Sequence, residues 1–248
     1  MSTYDHNHQN AGGTTAASFR AVNDQTRHCK EDALSDREFE QAVRATYRLD
    51  NGYWARECRL ILFAAGRLGL RSGEICHLHE DWIDWRNNMI EIPRHETCTL
   101  GKDGGICGTC RQAAKQMVAH NEDLDQTTAE SLMWGPKTEH SAREIPLDAT
   151  ERAAIAVEEF FEDYDHVAIS QGTIARRVTT IAEEAVGLDP ETTYPHCLRA
   201  TAASYWAARG LNAVNLKSLM GWSDFQVAMN YIEASGERTA QSLRALTG

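Results

Sequence analysis

Residues 196–231 read HCLRATAASYWAARGLNAVNLKSLMGWSDFQVAMNY. Glycines at 210 and 221 cut this run into short helical segments, predicted over 195–209, 212–220 and 224–232. A helix beginning near Pro195 puts His196 and Arg199 three residues apart, on one face and able to grip the same group. Two donor or cationic side chains so placed suit a phosphate, and arginine's planar fork meets two phosphate oxygens at once. A second such arginine, Arg71, lies in Gly69-Leu70-Arg71-Ser72-Gly73-Glu74, just after an apolar helical run. Glu74, about one helical turn on, either orients that guanidinium or forms a surface pair worth about 0.3–0.5 kcal/mol. Tyr231 closes the run. A phenol with a pKa near ~10 is a poor nucleophile at neutral pH, so a reactive tyrosine needs positive charge or a base beside it. Both are available here.

Taken in order, Arg71, Lys137, His196-x-x-Arg199, Trp222 and Tyr231 resemble the catalytic set of the tyrosine recombinases, the phage integrase and Xer family. The spacings from Arg199 to Trp222 and from Trp222 to Tyr231 match that family. So does Lys137-Thr138 ahead of Ala142-Arg143-Glu144-Ile145-Pro146-Leu147, and the likeness runs over roughly 34–235. It implies that Tyr231 attacks a DNA phosphate, leaving a 3′-phosphotyrosine and a free 5′-hydroxyl that later attacks back, with no ATP and no catalytic metal. Arg71 and Arg199 would hold the nonbridging oxygens and stabilise the transition-state charge. Lys137 would protonate the leaving oxygen, and His196 occupies the general acid-base position. Trp222 stands where many members have a second histidine. It can donate an indole N–H and pack the Tyr231 helix but cannot shuttle a proton. The family usually reads Leu-Arg-His after the first histidine, where this chain has Leu198-Arg199-Ala200.

The resemblance implies a mainly α (α+β) fold: a helical bundle with a small antiparallel sheet, forming the catalytic domain over 34–248. Ser35-x-x-Glu38 is a capping box opening a helix through Tyr47, with Phe39, Val43 and Tyr47 at four-residue steps. A second helix from about Trp54 carries Cys58, Ile61, Leu62 and Leu68 inward and stops at Gly69. Residues 89–93 and 143–147 read as strands, and 150–164 and 171–186 as helices. The first of these helices has Ile155, Phe160 and Phe161 as its apolar positions, and the second has the core stripe Ile174, Val178, Ile181 and Ala185. Polar Gln171, Thr173, Arg176 and Arg177 resemble positions where family members lay a helix along DNA; plain solvent exposure fits them too. A short tail helix is expected over 238–246.

Between the two strands lies more chain than a hairpin turn needs. It holds His95-x-x-Cys98 and Cys107-x-x-Cys110 around Gly101, Gly104, Gly105 and Gly108. Two ligand pairs across a glycine-rich loop suit a tetrahedral structural zinc knuckle over 95–110, with no open position for catalysis. His95 is the ligand that His77, His79 or another group could replace. Free cysteines or a redox pair are the alternative, and reduced thiols suit an intracellular compartment. Cys29, Cys58, Cys76 and Cys197 read as tail or small buried residues.

Residues 1–33, poor in aliphatics, read as a disordered tail without the apolar centre of a signal peptide. No segment approaches a membrane span, so the expectation is a soluble, cytoplasmic, nucleoid-associated protein. A net charge of −11 disfavours an indiscriminate nucleic-acid binder. A local basic cleft holding Arg71, Arg143, Arg176, Arg177 and Arg199 can still sit in an acidic shell. The 36 acidic against 25 basic residues, with arginine dominating lysine, look like a protein from a salt-loving archaeon, and the sequence as a whole resembles haloarchaeal integrase-like proteins. In molar salt counterion release contributes little, and close hydrogen-bonded contacts must carry DNA affinity.

Most integrases carry an N-terminal helical clamp domain, whereas here only the short tail precedes the catalytic region. The resemblance therefore implies double-stranded DNA as substrate, a homodimer or tetramer on it with the segment after Ser235 packing on a neighbour, and an accessory protein or the zinc insertion in place of the clamp. A type IB topoisomerase-like activity and a non-catalytic DNA-binding regulator are the alternatives on the same fold.

Overall fold

Ser35 opens the first helix reciprocally: its hydroxyl accepts from the Glu38 amide at 3.3 Å while Glu38 Oε2 accepts from the Ser35 amide at 2.8 Å. The computed structural model describes residues 31–136 and 138–236. Most of the expected tail, the helix expected over 238–246, Cys29 and Lys137 lie outside the described residues. α1 (Asp36–Thr46) buries Phe39 and Val43. Tyr47, expected in the same stripe, falls just past the helix and is 63% exposed, its ring beneath the Arg59 guanidinium.

α2 (Gly52–Gly66) is apolar nearly all round from Cys58 to Ala65, which demands neighbours on every side. It gets them from α1, α6 (Glu151–Phe161), α7 (Gln171–Glu184) and α8 (Pro195–Ala208). Cys58, Ile61, Leu62 and Leu68 are fully buried, as expected. α7 turns its expected stripe of Ile174, Val178, Ile181 and Ala185 inward; in α6 Phe160 and Phe161 are buried but Ile155 is exposed. α9 (Ala213–Met220) and α10 (Phe225–Glu233) pack with α8 around a second, small-residue core of Ala202, Ala203, Ala207, Leu216, Met220 and Ala228, and Tyr231 lies in it.

The sheet has one strand more than expected. β1 (Ile83–Asp84), β2 (Met89–Ile92) and β3 (Arg143–Pro146) run antiparallel in that order, with Ile90 opposite both Ile83 and Ile145. β1 spans two residues, too few for an alternation to be read. A short α3 (Ser72–His77) precedes it. The insertion is larger than a knuckle: beyond its glycine loop it forms α4 (Gly108–His120), capped by the Cys107 side chain, and α5 (Gln126–Ser131), capped by Asp125. Its two ends are joined by a reciprocal backbone pair, Glu96 N to Trp134 O at 2.9 Å and Trp134 N to Glu96 O at 2.5 Å. The result is mainly helical with a small antiparallel sheet. Among the described residues no helix is long and apolar enough to cross a membrane.

Candidate active site

Two turns gather the arginines. At the first, Gly69 takes φ +70°, which strains any L side chain, and a Cβ there would lie 2.7 Å from Met220 Sδ, so glycine is favoured. Its carbonyl accepts from Arg199 Nη1, and from Arg143 Nη2 at 3.3 Å. At the second, Gly221 ends α9 in the left-handed region (φ +57°), where a Cβ would press on Arg143 and on the Ser141 backbone. The carbonyls released there have no helical partner. Leu219 O accepts from Arg143 Nε at 2.7 Å, Met220 O from Arg199 Nη2, and Gly221 O from Arg71 Nη2 at 2.7 Å. Three guanidinium groups thus sit on the negative end of one helix.

Glu74 offsets part of their charge. Its carboxylate, 2% exposed, accepts from Arg71 Nη1 at 2.9 Å and from Arg143 in fork geometry at 3.0 and 2.9 Å, and it also caps the Arg71 amide at 2.8 Å. Burial raises the Glu74 pKa, but Arg143, Arg199 and Arg71 outweigh it and hold the group below its ordinary range, ionised. Arg199 is buried as well. Burial, the neighbouring Arg71 and Arg143 lower its pKa, while Glu74 and, to a lesser degree, Tyr231 pull it back up. The Trp222 indole stacks on the Tyr231 ring, centroids 5.3 Å apart and planes 17° apart. His196 is exposed on the first turn of α8 and lines a cavity of about 360 Å³ with Arg71, Gly73, Gln171 and the insertion residues Thr109 and Ala113.

Arg71, Arg199, Trp222 and Tyr231 therefore converge, His196 shares a cleft with Arg71, and Lys137 lies outside the described residues. Gln171 and Arg176 are exposed on α7, and Arg176 donates to the half-buried Thr173 at 2.9 Å. Arg177 turns the other way. It pairs with the fully buried Glu57 and lies 4.0 Å from the Trp54 ring, while Tyr53 donates to the same carboxylate at 2.8 Å. Arg143 was legible as a basic residue near the cleft but not as the partner of Glu74. The signal was strand alternation: Ile145 faces the core, so Arg143 must point inward too.

The metal-ligand expectation needs one correction. His77, Cys98, Cys107 and Cys110 place their ligand atoms within 4.8 Å of one another, a group that could hold a metal ion. His95 does not join them: it is exposed, with Nε2 3.1 Å from Ser131 O. Spacing along the insertion favoured His95, but the chain brings α3 over the thiols, and His77 ends α3. Because Gly73 O can only accept, His77 Nδ1 carries the proton at 2.9 Å, and the Nε2 lone pair faces the sulfurs at 3.2, 3.7 and 3.7 Å. That is the tautomer a metal-bound imidazole requires. Trp134 stacks on His77 with centroids 5.1 Å apart. Backbone amides of Cys107 and Cys110 point at Cys98 Sγ and Cys107 Sγ, both at 3.4 Å.

The model of the phage integrase family matches residues 34–238. The tyrosine recombinase XerC of Chlamydia muridarum (strain MoPn / Nigg) is similar, 23% identical over 178 residues that make up 72% of this chain and 46% of that protein. The chain thus spans about half the length of that curated relative. Among solved structures, the Tn1549 transposon integrase in complex with circular intermediate DNA resembles it with a TM-score of 0.60 at 18% identity, over 92% of this chain and 70% of that one. XerA recombinase does so with a TM-score of 0.56 at 14% identity, over 87% and 63%. The XerH site-specific recombinase bound to difH substrate gives a TM-score of 0.53 at 14% identity, over 86% and 53%. A family match over most of the chain, on a fold shared with solved recombinases, makes this chain a member of the phage integrase family with a tyrosine recombinase catalytic domain.

Proposed function

We propose that the chain is a site-specific DNA strand transferase that cleaves and rejoins double-stranded DNA through a 3′-phosphotyrosine. The observation that carries this reading is the convergence of Arg71 and Arg199 on the α9 terminus beside the stacked Trp222–Tyr231 pair. The pre-set guanidinium groups supply transition-state charge without reorganisation. Lys137 and His196 serve as proton donor and acid-base group, and Trp222 donates its N–H to the phosphate. Neither ATP nor a catalytic metal enters the reaction, since the bond energy is kept in the phosphotyrosine.

Gln171, Thr173 and Arg176 meet the DNA backbone along α7, while Arg177 anchors α7 to α2. A zinc ion held by His77, Cys98, Cys107 and Cys110 is structural, because four protein ligands leave no open coordination position. The working form is a homodimer or tetramer on DNA in the cytoplasm, associated with the nucleoid.

Covalent trapping tests the reading. Wild type and Tyr231→Phe are incubated at high KCl with nicked suicide DNA from the protein's own locus. An SDS-resistant adduct that requires Tyr231 supports strand transfer. Its absence on DNA that the protein demonstrably binds favours a binding regulator, and relaxation of supercoils without site preference favours a topoisomerase-like activity.

A further inference from the structure

The four-ligand group and the arginine cluster meet in one short helix. Arg71 is the N-cap of α3 and His77 its last residue, so about 9 Å of helix joins them. A helix of six residues does not hold itself. Its placement comes from buried Ile75, from the Glu74 network at one end, and from whatever holds His77 at the other. The other three ligands all belong to the insertion. α4 buries only Cys110 and Ala114, and its packing among the helices is chiefly against α5, so the thiols sit at its seam with the body. That seam borders the cleft: Arg71, Gly73 and His196 line one side, Thr109, Cys110 and Ala113 the other.

We propose that a thiolate-binding divalent metal at His77, Cys98, Cys107 and Cys110 clamps the insertion to α3 and thereby sets the position of Arg71, making His77 a positioning residue for strand cleavage. This rests on the strand-transfer reading above. The metal takes no part in the chemistry. It fixes the far end of the helix whose first turn presents the guanidinium, and it holds the insertion as one wall of the cleft. Without it, the seam keeps the thiols, the His77 imidazole, the Trp134 stack and the contacts of Glu96 with His79 and Trp82, while the far end of α3 loses its clamp, and a shift there of a fraction of an ångström is one that catalysis notices.

The test uses the full chain in four states: zinc-loaded, chelator-stripped under reductant, reloaded with zinc, and loaded with cobalt. His77→Ala and His77→Cys accompany them, the latter offering four thiolates. Cobalt loading should give the visible bands of a tetrahedral thiolate site at one metal per chain. Stripping should speed amide exchange in peptides spanning 69–80 and 108–120 by about tenfold and leave α2 unchanged. Adduct formation should fall by up to about 100-fold, as misplacing a catalytic group does, with DNA affinity unchanged. Zinc should restore it, and His77→Cys should cleave far better than His77→Ala. Unchanged exchange at 69–80 on stripping, or unchanged cleavage by the stripped protein, overturns the clamp. So does exchange in α2 rising in step with α3, which makes the metal a global folding ligand. If loaded wild type forms no adduct at all, the strand-transfer reading fails, and the exchange at 69–80 still decides whether the metal holds α3.

Discussion

Arg143 grips Glu74 with both arms of its guanidinium, at 3.0 and 2.9 Å, although neither residue offers a nucleophile or a proton to the cleft. Glu74 is the hub of the site because one buried carboxylate lets three buried or half-buried arginines sit together. Removing Arg143 strands that charge. Arg143→Ala should lose about 3–5 kcal/mol of stability in chemical denaturation. Arg143→Lys should recover only part of it, since an ammonium cannot reproduce the fork. Equal stability of wild type and Arg143→Ala would remove Glu74 from the centre of the network.

Glu74 also sets an acid limit. Its folded pKa lies below the usual carboxylate value, so its contribution is present above that usual value and is lost as pH falls through the lower folded one. Wild type should therefore lose stability on acidification below about pH 4. Glu74→Gln should be less stable at neutral pH and show a flatter acid limb in urea midpoints measured across pH. Parallel acid limbs for the two proteins would contradict the assignment.

The proposed donor role of Trp222 is separable from its observed packing on Tyr231. Trp222→Ala should lose the stack on Tyr231, about 0.5–1.5 kcal/mol beyond lost burial. Trp222→Phe keeps a ring but no N–H, so it should hold most of the stability in a thermal melt. Its cleavage rate should nonetheless drop by about 100-fold, the usual effect of losing one donor to transition-state charge. A Trp222→Phe protein that cleaves like wild type would leave the indole with packing alone.

The adjacent arginines of α7 should behave oppositely. Arg176→Ala should weaken DNA binding uniformly and lower the salt slope by about one, with little change in stability. Arg177→Ala leaves Glu57 buried with only Tyr53 to donate, and should destabilise by about 3 kcal/mol while the salt slope stays put. Binding titrations over a range of KCl, paired with denaturation curves, read both.

Metal content separates the two histidines. His95→Ala should keep one zinc per chain by elemental analysis, and His77→Ala should not, because only His77 aims a lone pair at the three sulfurs. The reverse result would restore the local His95-x-x-Cys98 pairing.

Much of the architecture was legible because it is local. The Ser35 cap, the α7 stripe and the glycine stop at 221 announce themselves within a few residues, whereas the helix expected to stop at Gly69 already ends at Gly66. The order of the candidate site residues came from resemblance, and the fold places Arg71 and Arg199 on the α9 terminus beside the stacked Trp222 and Tyr231. What could not be read depends on distant chain crossing. His77 and Cys110 are 33 positions apart, Arg143 and Glu74 are 69, and no periodicity links them. Arg177 was misleading for the same reason: its partner Glu57 lies 120 positions away on α2. α4 was missed because its apolar face is thin, with only Cys110 and Ala114 buried.

The backbone pair between Glu96 and Trp134 has a bearing on how this chain can vary. It pins the two ends of the insertion side by side, so the closure entropy of whatever lies between them grows only with the logarithm of its length. Residues added at the exposed turn between α4 and α5, away from the three thiols, leave Ile90 opposite Ile145 and leave the thiol seam in place. The distal turn of the insertion is thus where the chain can lengthen at little entropic cost, while the stem keeps the register of the sheet.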